Sequence, residues 1–126
     1  MMTGVLSRPS TVIVWALQLL AAAMFFFAGG SKLAGVPMMV QLFDAIGAGQ
    51  WFRYLTGAIE VTGAAGLLLP AAAPYAAVML AVTMIGAVMT HLFIVGGNPA
   101  MPIVLFAALS AIVWIRRGQL QTVLGA

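Results

Sequence analysis

Four apolar stretches, each about as long as a helix that crosses a bilayer, occupy most of this sequence. They cover residues 11–30, 52–69, 75–95 and 99–115. A bilayer core about 30 Å thick requires about 20 helical residues, so each stretch predicts one crossing. Because 64% of the residues are hydrophobic and only 6% are charged, the composition does not fit a water-soluble domain. We therefore predict an all-α integral membrane four-helix bundle that forms a single domain over residues 1–126.

Turn-forming residues separate these stretches. The connection at residues 70–74 is so short that the second and third helices must form an antiparallel hairpin. Asn98 is the predicted N-cap of the fourth helix, with Pro99 at its first helical position. A cleaved signal peptide is the rival interpretation of residues 11–30. Its apolar region is usually shorter, about 7–15 residues, and here further apolar segments follow.

The longest connection contains a short predicted amphipathic helix over residues 37–47. Pro37 suits its start, and Gly47 suits its end. One face carries Met39, Val40, Phe43 and Ile46, and the other carries Gln41 and Asp44. We expect this helix to lie in the outer membrane interface as a partial lid, although amphipathicity alone fits a simple spacer equally well.

The basic residues give an orientation. An even number of crossings places both termini on one side, together with Arg8, Arg116 and Arg117. Lys32 and Arg53 fall on the opposite side. Lys and Arg accumulate on the cytoplasmic side of membrane proteins. Because three basic residues lie on the side of the termini and two on the opposite side, we predict cytoplasmic termini.

The composition also excludes several kinds of chemistry. The sequence has no cysteine, so disulfides, iron–sulfur clusters and thiol redox chemistry are not expected. One histidine and two acidic residues make an intrinsic metal site improbable. The basic residues are scattered, so nucleic acid is not an expected partner. A haem on His91 would need a second ligand, and a membrane methionine is more often packing filler.

Ionisable residues at membrane depth are the best candidates for a functional site, because each costs a few kcal/mol unless it is paired or wetted. Glu60 lies about 12 Å into the second helix, at 1.5 Å per residue. Arg53, seven residues earlier, shares its face but cannot reach it along the helix, so a partner from another helix is needed. Lys32 and His91 fall in the same outer half of the predicted bundle.

Two helices carry inward-facing stripes of small residues around polar ones. Gln18, Phe25 and Lys32 recur at seven-residue spacing on the first helix. The second helix has glycine and alanine beside Arg53 and Glu60. Small residues allow close helix packing, and Gln18 is expected to hydrogen bond between helices.

These residues support two hypotheses. In the first, Glu60 and His91 are a catalytic acid and base, while Lys32 and Arg53 fix the charge, and all four bind a ligand. In the second, the same residues form a structural network that holds the bundle together without a ligand, because ion pairs also perturb pKa values without catalysis.

A series of short motifs makes the sequence similar to a known family. In chain order these are FAGGSKL at residues 27–33, Pro37, Phe43, Gly47, GAIE at residues 57–60, Gly63, residues 67–70, Gly86-Ala87 and His91. Together, over residues 26–102, they resemble the DoxX / DoxX-like family. The resemblance implies a small four-helix protein of the bacterial inner membrane, linked to quinone oxidoreductases or oxidative-stress resistance, with polar positions at Lys32, Glu60 and His91.

Three functions remain open. The first is a quinone-interacting subunit of a redox or oxidative-stress-linked system, which binds a quinone, has no intrinsic cofactor and receives electrons from a partner. The second is a non-catalytic accessory or scaffold subunit of a larger membrane complex. The third is a small proton-coupled transporter that uses one membrane carboxylate. The lipid bilayer and a partner membrane protein, or a second copy of the chain, are the expected partners.

Overall fold

The computed structural model describes residues 9–123, which contain six α-helices and no strand. The helices are α1 (Pro9–Ala34), α2 (Pro37–Ile46), α3 (Gln50–Leu67), α4 (Ala73–Thr90), α5 (Ala100–Ile115) and α6 (Arg117–Val123). A π-helix, His91–Val95, continues α4. Arg8, which contributes to the predicted orientation, lies outside the described residues.

The four longer helices pack around a shared core. α1 lies beside α3, α3 beside α4, α4 beside α5, and α5 returns to α1. Gly29 meets Gly57 near one end of α1, and Gln18 meets Leu67 near the other, so α1 and α3 run antiparallel. We name the two ends of this assembly after the short helices that lie there, the α2 end and the α6 end.

The predicted inward faces of α1 and α3 are confirmed. On α1, Gln18, Ala21, Ala22 and Phe25 are buried. On α3, the buried residues are Arg53, Gly57, Glu60, Gly63, Ala64 and Leu67. Most of the core is apolar, and the buried polar or charged residues of the described chain are Gln18, Arg53 and Glu60.

The short amphipathic helix, α2, is present where the sequence predicts it. Pro37 opens it, and Gly47 ends it with φ 83°, while the Gly47 N–H donates to the Phe43 carbonyl. Phe43 is buried and packs edge-on against Phe52 of α3, with ring centroids 5.7 Å apart. Asp44, on the opposite face, is exposed. α2 therefore covers the α2 end of α3 and also packs against the π-helix.

Two local features near residue 95 differ from the sequence-based expectation. The predicted helix over residues 75–95 changes to π geometry at His91, which alters the direction of the side chains that follow. Pro99 is the N-cap of α5 rather than its first helical residue. The Asn98 side chain still accepts a hydrogen bond from the Ala100 N–H at 2.9 Å. Asn98 therefore caps α5 from the position before the N-cap residue, Pro99.

Two helical segments of the described chain are long and apolar enough to cross a membrane, Ser10–Ala34 and Ala73–Val95. α5 has 16 residues, or about 24 Å of helix at 1.5 Å per residue. α3 has 18 residues and carries both Arg53 and Glu60. By length and composition, two of the four predicted crossings thus meet the requirement for a membrane-spanning helix.

Candidate functional site

A close crossing of α1 and α3 places the candidate site. A Cβ atom on Gly29 would lie 2.8 Å from the Gly57 carbonyl oxygen and 2.8 Å from Val61 Cγ2. A Cβ on Gly57 would in turn lie 3.0 Å from the Gly29 carbonyl oxygen and 3.0 Å from Lys32 Cβ. Since neither glycine has room for a methyl group, both are required for the two backbones to approach this closely.

Next to this crossing, Lys32 of α1 and Glu60 of α3 form a buried ion pair. The Lys32 Nζ lies 2.7 Å from the Glu60 Oε1, and the two side chains are only 13% and 3% exposed. At this distance the ammonium and the carboxylate interact directly. Lys32 of α1 therefore supplies the cation that Glu60 was predicted to need from another helix.

Arg53 hydrogen bonds to the C-terminal end of α1, whereas Glu60 forms its ion pair with Lys32. Its Nη1 donates to the Lys32 carbonyl oxygen, and its Nε donates to Gln50 Oε1 at 2.6 Å. The guanidinium carbon lies 4.3 Å from the centre of the Tyr54 ring. A cation at the C-terminus of a helix satisfies free carbonyls and complements the helix dipole, so buried Arg53 stabilises the last turn of α1.

Gln50 connects Arg53 to the exposed residue Asp44. It was not among the predicted site residues. Its Nε2 lies 2.7 Å from Asp44 Oδ1 and 3.1 Å from the Val40 carbonyl oxygen. Both acceptors belong to α2. Asp44, Gln50, Arg53, Lys32 and Glu60 thus form one connected series of contacts, which we call the α2-end polar chain.

His91 stands apart from this polar chain. Its Nδ1 lies 2.9 Å from the Ala87 carbonyl oxygen, one turn back on its own helix. In residues 9–123, no hydrogen bond or ion pair joins His91 to Lys32, Arg53 or Glu60. Because a carbonyl only accepts hydrogen bonds, this contact places a proton on Nδ1.

An open apolar groove lies along α4 and α5. Its volume is about 250 Å³, and its lining residues are Ile85, Val88, Met89, Ile103 and Phe106. Val88 precedes His91 by three residues, and residues at this spacing lie on neighbouring parts of a helix face. The groove can hold a flexible hydrocarbon segment.

A second polar network lies at the α6 end. Gln18 Nε2 donates to the Leu67 carbonyl at 2.6 Å, which confirms its predicted role between helices. Arg116 donates from Nε to Gln18 Oε1 at 2.6 Å and from Nη1 to Gln119 Oε1 at 3.1 Å. Burial lowers the pKa of the Arg116 guanidinium from its ordinary value. This network ties α1, α3 and the start of α6 together.

The structure brings together three of the four predicted site residues. Lys32, Arg53 and Glu60 are in contact through the α2-end polar chain, whereas His91 lies on the π-helix with its own local bond. Gln50 could have been noticed from its position three residues before Arg53, the spacing at which side chains meet on a helix. The tight contact between Gly29 and Gly57 depends on where the helices cross, which spacing alone does not give.

Comparison with known proteins agrees with the family resemblance. A 74-residue segment is 32% identical to a Bacillus subtilis protein described as "Putative oxidoreductase CatD", and it covers 59% of this chain and 55% of that protein. This chain thus matches about half the length of that relative. No solved structure matches the chain significantly. The family model of the DoxX-like family matches residues 16–115 of the 126, most of the chain. The chain therefore belongs to the DoxX-like family.

Proposed function

We propose that the chain crosses the bacterial inner membrane four times, with α1, α3, α4 with its π-helix, and α5 as the spans and both termini in the cytoplasm. The outward-facing surface supports this placement. Large apolar side chains such as Leu20, Phe27 and Val82 are more than half exposed. Only 11% of the most apolar window of Ala73–Val95 is buried, unlike the core helix of a water-soluble protein. α2 then lies in the outer interface.

Within this placement we propose that the protein is a quinone-interacting subunit of a redox or oxidative-stress-linked system. The observation that carries the proposal is the Lys32–Glu60 pair, a proton donor and a proton acceptor held 2.7 Å apart at one end of an apolar helical assembly. A quinone head group is flat and amphipathic with two carbonyls, so it suits an apolar site with few donors. The similarity to a protein described as an oxidoreductase supports the redox context.

Each residue then has a distinct part in the site. The Lys32 ammonium donates to a quinone carbonyl, and Glu60 and His91 exchange the two protons that reduction to a quinol consumes. Arg53 keeps Lys32 in place through the carbonyl at the end of α1. The apolar groove along α4 and α5 accommodates part of the isoprenoid tail.

The two electrons must come from elsewhere. The sequence contains no cysteine, and a single histidine gives no haem ligand pair. We propose that a partner membrane protein, or a complex built on several copies of this chain, supplies the electron donor, so that any enzymatic activity belongs to the assembly.

One observation favours a second candidate, a non-catalytic accessory subunit. The contacts that join Lys32, Arg53 and Glu60 also fasten α1 to α3, so the same residues serve a purely structural role. A proton-coupled transporter is less well supported. Between Glu60 and Gln18 the core is filled by Phe25, Ala64 and Leu80, each with no exposed area, which separates the two polar networks.

Quinone content after purification in mild detergent tests the proposal. We expect nearly one quinone per native chain, and only traces in the folded variants Glu60→Gln and His91→Ala, because each removes a proton-exchanging group from the site. Leu92→Ala is the matched control, since Leu92 is adjacent to His91 but points outward with 57% exposure. Equal trace amounts in all four proteins would contradict quinone binding and favour the accessory subunit.

A further inference from the structure

The exposed surface at the α6 end carries a second arrangement of charged and aromatic groups. The guanidinium carbon of Arg117 lies 4.0 Å from the centre of the Trp114 ring, and its Nη1 donates to the Trp114 carbonyl at 2.6 Å. Trp114 is 66% exposed, and Arg117 is exposed as well. A guanidinium has five N–H donors, so the stacked and bonded Arg117 still offers several of them at the surface.

Arg116, the preceding residue, provides a second fixed positive charge. Besides its bonds to Gln18 and Gln119, its guanidinium carbon lies 5.5 Å from the centre of the Trp15 ring. Two arginines are thus held in place at this end, each beside a tryptophan. Their side chains lose little further freedom when a ligand binds.

No acidic side chain neutralises these two arginines. The sequence contains two acidic residues, Asp44 and Glu60. Asp44 hydrogen bonds with Gln50, and Glu60 pairs with Lys32, so both belong to the polar chain at the opposite end of the assembly. The α6 end is therefore a positive surface that an anion complements.

We propose that Arg117, Trp114 and Arg116 form a binding site for the phosphate of an anionic phospholipid in the inner leaflet. Arginine matches the geometry of phosphate oxygens, and tryptophan is typical of the headgroup level of a bilayer. This inference rests on the proposed membrane placement but not on quinone binding.

Thermal unfolding of the detergent-purified chain with added lipid tests this site. We expect phosphatidylglycerol to raise the unfolding midpoint more than phosphatidylcholine with the same acyl chains, and high salt to reduce the difference. Arg117→Gln is expected to raise the half-saturating concentration of phosphatidylglycerol about tenfold, the effect of losing a hydrogen bond to a charged group. Arg117→Lys keeps the charge and is expected to lose less.

Three results would overturn the proposal. They are an equal response to both lipids, an unchanged phosphatidylglycerol response in Arg117→Gln, and a response to inorganic phosphate at matched ionic strength that equals the lipid response. Extraction of native membranes with alkaline carbonate separates this failure from failure of the membrane placement. A chain released into the soluble fraction contradicts the placement, whereas a retained chain without lipid preference contradicts only the lipid site.

Discussion

Replacing Gly29 with alanine is expected to destabilise the protein by about 2 kcal/mol, within the usual range for overpacking a tight contact. The new methyl group would lie 2.8 Å from the Gly57 carbonyl oxygen, which belongs to the backbone of α3 and cannot rotate away. The two helices must therefore separate, which also pulls Lys32 away from Glu60. Denaturant-induced unfolding in detergent, followed by circular dichroism, measures the change.

The neighbouring residue provides the matched control. A Cβ on Gly30 has no heavy atom within 4 Å, so Gly30→Ala removes the same flexibility from α1 without creating a clash. We expect Gly30→Ala to be neutral or more stable than the native protein by up to about 1 kcal/mol, because alanine is the better helix former. Equal stability of the Gly29→Ala and Gly30→Ala variants would mean that α1 and α3 do not cross at Gly29.

Removing one partner of the buried ion pair is expected to cost more than removing both. Lys32→Met leaves the Glu60 carboxylate buried without its cation, and Glu60→Leu leaves Lys32 in the same position, so each single variant should lose about 3–5 kcal/mol. The double variant replaces the pair with apolar groups of similar size, and its loss should be much smaller. A double-mutant cycle on unfolding free energies measures the coupling.

Near-additive losses in this cycle would contradict a direct contact between Lys32 and Glu60. Asp44→Asn with Leu20→Ala serves as the control pair, because Asp44 and Leu20 are both exposed and lie toward opposite ends of the assembly, so their effects should add. A strongly destabilised double variant would instead show that Arg53 and the end of α1 depend on the charge of Lys32.

Much of the helical framework follows from the sequence. The seven-residue spacing of Gln18, Phe25 and Lys32 predicts the buried face of α1, and Pro37 and Gly47 predict the limits of α2 within one residue. These features are local, because helical periodicity and the backbone preferences of proline and glycine depend only on residues that are close in the sequence.

The contacts of the site depend on more than local pattern. The need for a cation near Glu60 follows from its depth, but Lys32 has a stem long enough to reach either Glu60 or water, and the crossing at Gly29 decides between them. His91 makes no direct bond to Glu60 in the described residues, and the expectation that the two residues act on one ligand stays a prediction. The π-helix that begins at His91 changes the angular position of side chains, and the hydrophobic pattern carries no sign of this change.

The quinone content of the Lys32→Met/Glu60→Leu double variant tests the central claim most directly, since this variant keeps the packing of α1 on α3 while losing the donor and the acceptor. The account predicts a folded protein with only trace quinone, purified beside a native protein that carries nearly one quinone per chain. A folded double variant with native quinone content would contradict it and assign the Lys32–Glu60 pair to helix packing alone.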